Sequence, residues 1–339
     1  MKTRVSGKAQ PAKTVFIIAV LVISFAACLY YGLFNSRTAA SESEAENTGN
    51  SGDYLAFRDD QKNIGIYLDE MAEIDSLEEQ PSLLGWFDTW FHENWFSHQK
   101  LKLCGTDHRF IPMITWQPAG VPLRYIASGL YDDYIESYLR EIAEACPNND
   151  VLIRFAHEME MRPRYKNAWY SWQDERDPEG YIEAWRHIVS IGRKISPNFK
   201  WVWSPNRADE YTIPYYPGDE WVDYVGISLN LTVLEYYTTP YMDFSEYYET
   251  MGLKSFMEAY NKPIIISEAA YYNDTPALRE SYFRSIFDHL ADDPKICALL
   301  FFNIDASDDR TYEFYSEEPL RKIFFDGIRR LRELNSESD

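Results

Sequence analysis

Val151-Leu152-Ile153-Arg154-Phe155-Ala156-His157-Glu158-Met159 opens as a short apolar run and closes on a histidine and a carboxylate. A run that is apolar rather than alternating suits a strand buried on both faces of a parallel sheet. Working outward, similar runs occur at Asn63 to Asp69, Leu83 to Trp90, Phe110 to Pro118, Lys200 to Asn206, Asp223 to Leu229, Pro263 to Ala269 and Cys297 to Asp305. Between them lie stretches with helical spacing. Ile135, Leu139 and Ile142 follow Asp132-Asp133, and Ile182, Trp185, Ile188 and Val189 precede a break at Ser196-Pro197. Eight strand and helix alternations within about 280 residues predict an α/β fold of the (β/α)8 TIM barrel type, although a doubly wound sheet also alternates.

The chain has 339 residues, 45% hydrophobic and 26% charged, which is globular composition and excludes a disordered or fibrous chain. Its 33 Lys and Arg stand against 54 Asp and Glu, a formal charge of −21, so a phosphate backbone is repelled and nucleic acid is not an expected partner. The 26 Tyr, 19 Phe and 10 Trp exceed what a core needs and leave some to line a cleft. Sugar rings stack on such surfaces, as do other ligands.

Residues 15–34 are predominantly apolar and uncharged, long enough to cross a bilayer as a helix. Lys2, Arg4, Lys8 and Lys13 precede them and Glu42, Glu44 and Glu46 follow, so the positive-inside rule keeps residues 1–14 cytoplasmic and exports the rest. Residues 35–60 read as a solvated linker, and 61–339 as the barrel domain. The expected location is the cell membrane, single-pass, with the domain outside. A lipoprotein signal at Phe25-Ala26-Ala27-Cys28 or a cleaved signal ending at Thr38-Ala39-Ala40 would export the same domain. Cys104, Cys146 and Cys297 form no Cys-x-x-Cys pair and read as buried packing.

In a barrel, reacting side chains project from the carboxyl ends of the strands. Glu158 ends the fourth run and Glu268 the seventh, each at the rim of an apolar strand, where one carboxyl can hold a proton while the other stays ionised. Two carboxyls about 5 to 5.5 Å apart suit a retaining glycosidase. Trp116 and Trp203, at the ends of the third and fifth runs, and Trp90, near the end of the second, are candidates to face sugar, with Asn206 and Asn303 as hydroxyl partners. His157-Glu158 begins like a zincin motif, but Met161 stands where the second histidine belongs, so no metal site is predicted. Serine-hydrolase elbows and P-loops are absent.

The segments Ile126-Ala127-Ser128-Gly129, Tyr131-Asp132-Asp133-Tyr134-Ile135 and Leu152 to Met159 resemble the core of glycoside hydrolase family 26, the β-mannanase family. Phe110 to Trp116 resembles its third strand, Trp201 to Asn206 its fifth, Tyr216-Pro217-Gly218-Asp219 with Val222 to Ile227 its sixth, and Lys262 to Glu268 and Phe302 to Asp305 its seventh and eighth. The resemblance implies that Glu158 is the general acid/base, Glu268 the nucleophile, His157 a subsite residue and Trp169 a lining residue of the sugar site. Three departures stand out: Glu160 replaces the motif's asparagine and brings a third carboxylate near the acid, Met161 to Asn167 forms an insertion before Trp169, and the tyrosine expected beside the nucleophile is replaced near Leu229-Asn230-Leu231.

The function expected on these grounds is endo-acting, retaining hydrolysis of a β-linked polysaccharide, β-1,4-mannan or the cell's own exopolysaccharide, with no cofactor. The alternative is a non-hydrolytic glycan-binding or scaffold subunit of polysaccharide synthesis or export machinery.

Overall fold

The computed structural model describes residues 55–68, 71–92, 95–161, 170–174, 176–231, 243–271, 275–304 and 312–338. The expected membrane segment 15–34 and the residues up to 54 lie outside these. Among the described residues, no helix is long and apolar enough to cross a membrane.

Eight parallel strands close into a barrel in chain order: β1 (Asn63–Tyr67), β2 (Leu83–Thr89), β3 (Ile111–Gln117), β4 (Val151–Phe155), β5 (Phe199–Trp203), β6 (Tyr224–Leu231), β7 (Ile264–Tyr271) and β8 (Ile296–Phe302). β1 pairs with β8, with Gly65 opposite Leu300, which closes the ring and settles the choice against an open sheet. The runs are apolar because each strand packs on both faces. Tyr67, Leu83, Ile111, Met113, Leu152, Val202, Ile265 and Leu300 fill the interior. The alternate residues Ile66, Leu84, Ile114, Ile153, Trp201 and Ile266 belong to the larger core shared with the helices. Gly85 is required inside: a Cβ there would lie 2.8 Å from the Tyr67 ring.

Helix Asp132–Ala145 buries Ile135, Leu139 and Ile142, and helix Pro178–Ile195 buries Trp185, Ile188 and Val189, as their spacing predicts. Asp177 caps the second by accepting the Gly180 N–H at 3.0 Å. The expected alternation fails between β5 and β6, where only two short 3-10 turns occur, Ile213–Tyr215 and Asp219–Trp221. Pro214, Pro217 and Gly218 account for this, since two prolines and a glycine within five residues cannot sustain an α-helix. The domain also begins before residue 61. Phe57 is buried, its N–H donates to Asp150 Oδ2 at 2.8 Å, and the Leu55 N–H donates to Asn149 Oδ1, so 55–60 is part of the barrel rather than linker. Cys104, Cys146 and Cys297 are buried free thiols.

Candidate active site

Strand parity decides which side chains reach the mouth of the barrel. Along β4, Leu152 points inward, and so does Arg154 two residues on, fully buried. Its Nη1 donates to Glu268 Oε1 and lies 3.5 Å from Thr115 Oγ1. Its Nη2 donates to Ser228 Oγ at 2.6 Å and stands 4.0 Å from Glu158 Oε1. One guanidinium thus joins β3, β4, β6 and β7 beneath both carboxylates.

Glu268 owes its aim to an irregularity in β7. Ile227 pairs with Ile266 but Ser228 with Glu268, so Ser267 is an extra residue at that point. The shift lets neighbouring side chains both serve the interior side: Ser267 Oγ lies 2.6 Å from Ser204 Oγ, while Glu268 meets Arg154. Asn230 Nδ2 donates to Glu268 Oε2 at 2.8 Å, so both nucleophile-candidate oxygens have donors.

Glu158 leaves β4 through a bent backbone. Ala156 and Glu158 have φ of 40° and 54°, the left-handed region that residues with a Cβ seldom occupy. The conformation is held by the Glu158 N–H donating to the Ser204 carbonyl at 2.9 Å and by Gln173 Nε2 donating to the Glu158 carbonyl at 2.8 Å. The side chain accepts from Asn206 Nδ2 at 3.2 Å. Burial, reinforced by the Glu268 charge and opposed by Arg154, raises the Glu158 pKa above the ordinary carboxylate range.

His157 is fully buried, with Nε2 3.2 Å from Tyr170 Oη and its carbonyl accepting from Trp172 Nε1 at 2.8 Å. Burial first and Arg154 second hold its pKa well below the usual value, so the ring is neutral. One His157 nitrogen and one oxygen each of Glu158 and Glu268 lie within 4.8 Å of one another. A cation could be held by such a set, but Arg154 already contacts both carboxylates and supplies the positive charge.

The structure brings Glu158, Glu268, His157 and Asn206 together and redirects the other sequence candidates. Trp116 and Trp203 are 0% exposed and Trp90 1%. Trp116 stacks on Tyr138 at 4.7 Å and tilts against Trp90, and Trp203 packs against Tyr216 and Tyr260. All three are core residues. Trp116 alternates with inward Thr115, and Trp203 with inward Val202, so nearness to a strand end put them at the rim but parity turned them toward the helices. Asn303 is buried too. Its Oδ1 accepts the Phe314 and Tyr315 N–H groups at 2.8 and 2.9 Å, so it pins the chain after β8 rather than meeting a hydroxyl. Trp169 lies outside the described residues. Sequence reasoning passed over Arg154, Ser228, Asn230 and Phe87. The half-buried Phe87 ring lies 5.9 Å from His157 on the inward register of β2. A charged residue in phase with Leu152 inside an apolar strand was the available signal for Arg154.

Residues 107–269, which include both carboxylates, match the model of glycosyl hydrolase family 26. That stretch, a little under half of the chain, is what resembles the family. The chain is 29% identical over 174 residues to Endoglucanase H of Acetivibrio thermocellus, covering 47% of this chain and 18% of that protein. It is 26% identical over 150 residues to Mannan endo-1,4-beta-mannosidase A and B of Caldalkalibacillus mannanilyticus, covering 40% of this chain and 27% of that protein. The chain therefore spans less than a third of either relative's length. Its fold is similar to that of a Cellulomonas fimi endo-beta-1,4-mannanase double mutant, with a TM-score of 0.58 at 16% identity over 80% of this chain and 71% of that one.

Proposed function

We propose that this barrel hydrolyses internal β-linkages of a mannan-like polysaccharide with retention of anomeric configuration. The observation behind this reading is the approach of Glu158 and Glu268 oxygens to within 4.8 Å across a shared arginine. Inverting enzymes leave room for a water between carboxyls roughly 6.5–9.5 Å apart, whereas double displacement needs the shorter gap. Arg154 and Asn230 stabilise the negative charge on Glu268, leaving it ready to attack the anomeric carbon. Glu158, kept protonated by burial and by its neighbour, gives its proton to the departing glycosidic oxygen as that bond breaks. The glycosyl ester on Glu268 is then opened by water, whose proton returns to Glu158. The neutral His157 adds no competing charge and offers a polar wall beside the acid.

The names of the relatives favour a β-1,4-linked mannan or glucan, and the cell's own exopolysaccharide is the further candidate. Residues 15–34 are proposed to anchor the barrel outside the cell, which fractionation of the full chain would test. Reducing-end release from mannan, glucomannan, xylan, mixed-linkage glucan and native exopolysaccharide, beside a Glu268→Ala control, tests the activity. Release from one glycan that disappears in the control supports the proposal. Binding without release on every glycan would favour the non-hydrolytic subunit instead.

A further inference from the structure

Glu160, where the family motif has asparagine, does not join the two site carboxylates. It is 3% exposed, and its Oε1 accepts the backbone N–H groups of Asn206 and Arg207 at 2.8 and 2.7 Å. The Asn206 side chain in turn donates to Glu158 Oε1 at 3.2 Å. A hydrogen-bonded chain therefore runs from Glu160 through one residue's backbone and side chain to the acid. The other oxygen, Oε2, is buried without a partner. A buried carboxylate charge with one oxygen unpaired is costly, whereas the neutral acid carries no charge, keeps Oε1 as the acceptor of both N–H groups and has its O–H beside the adjoining cavity that Glu160 lines. The groups that act on Glu160 electrostatically are Glu158 on its own segment, Tyr181 of helix Pro178–Ile195 and Tyr260. Arg176 and Glu210 line the adjoining cavity of about 130 Å³. Glu158 and Glu210 disfavour a further negative charge, and Arg176 is the one cation among these groups.

We propose that Glu160 is a positioning residue that works as a neutral carboxylic acid, holding the Asn206–Arg207 backbone so that Asn206 keeps its hydrogen bond to Glu158. The inference rests on the acid role proposed for Glu158. Burial pushes the Glu160 pKa up to about 8, so the neutral form persists across the range in which Glu158 must hand over a proton. Asparagine at this position is one methylene shorter, which explains why a change of residue type alone need not preserve the contact to the 206–207 backbone.

The test compares Glu160→Gln, Glu160→Ala and Asn206→Ala with the wild type. Glutamine keeps a carbonyl acceptor and no charge, so Glu160→Gln is expected to retain kcat within about twofold at pH 6. Glu160→Ala and Asn206→Ala are each expected to lower kcat by about tenfold to a hundredfold, with KM changed less than threefold, because the acid is displaced rather than the substrate. Carbon-13 NMR of glutamate-labelled protein adds a readout independent of turnover: one carboxyl resonance titrates above pH 7 and is missing from Glu160→Gln. Loss of activity in Glu160→Gln equal to that in Glu160→Ala would overturn the neutral role. So would a Glu160 resonance titrating below pH 5. Wild-type kcat in Glu160→Ala would overturn the positioning role. If the wild type released no sugar from any glycan, the catalytic reading would fall, and the NMR titration would still decide the protonation of Glu160.

Discussion

The interior of this barrel has two layers built from the same strands, and they behave as opposites. In the lower layer Leu83, Ile111, Met113, Leu152, Val202 and Ile265 meet one another and exclude polar atoms. One inward step further along the strands, Leu152 gives way to Arg154, Met113 to Thr115 and Val202 to Ser204, and the layer becomes a hydrogen-bonded net around Glu268. The lower layer is tolerant in detail, since apolar side chains of the right total volume fill it. The upper layer is not, because every buried donor and acceptor there needs a partner. The comparison teaches that a barrel separates stability from chemistry by one inward step along its strands, about two residues, or roughly 7 Å.

The layers are most sharply separated by Glu268→Ala, which is expected to cut hydrolysis by at least about a thousandfold. Thermal melting of that variant should show a folded barrel, with Arg154 still held by Ser228 and close to Glu158. Arg154→Met removes the cation and leaves two buried carboxyls facing each other, an expected loss of about 3–5 kcal/mol in urea unfolding. If that variant were as stable as the wild type, the upper layer would not depend on its charge pairing. In the lower layer, Leu152→Ala is expected to cost about 3 kcal/mol through its cavity while kcat below the melting range stays unchanged. A kcat loss there would join the two layers that the account separates.

Further effects sharpen the comparison. In the folded protein Glu160 holds its proton up to about pH 8, whereas in the unfolded chain it releases it in the ordinary carboxylate range. Its contribution to stability is therefore fully present below the unfolded pKa and is lost as pH rises through the folded one. Glu160→Gln should gain on the wild type between pH 5 and 8, by about 1 kcal/mol for each pH unit and roughly 4 kcal/mol in all in paired urea titrations. The smallest change is Trp203→Phe, expected to cost about 1–2 kcal/mol of stability with KM for glycan unchanged. A raised KM would return Trp203 to the sugar face.

The fold was legible because parallel strands buried on both sides leave unbroken apolar runs, as in Pro263-Ile264-Ile265-Ile266. The catalytic candidates were legible because charged residues stand out at the ends of such runs. The aromatic candidates were not, since Trp116 and Trp203 sit beside polar inward neighbours and only the register shows that they face the helices. Nor could a sequence reveal the extra residue in β7 that aims Glu268, because Ser267 looks like any small strand residue until its pairing is known. Asn303 failed for a related reason: a buried amide satisfies backbone as readily as ligand, and the residues it holds, Phe314 and Tyr315, lie far along the chain.

The central claim is that Glu158 and Glu268 act as a retaining pair, and the anomer released first tests it most directly. Proton NMR of a β-mannan digest in the first minutes, before mutarotation, is predicted to show the new reducing end as the β anomer, with no signal from Glu268→Ala. An α anomer appearing first, or a signal that survives Glu268→Ala, would contradict the double displacement assigned to these two residues.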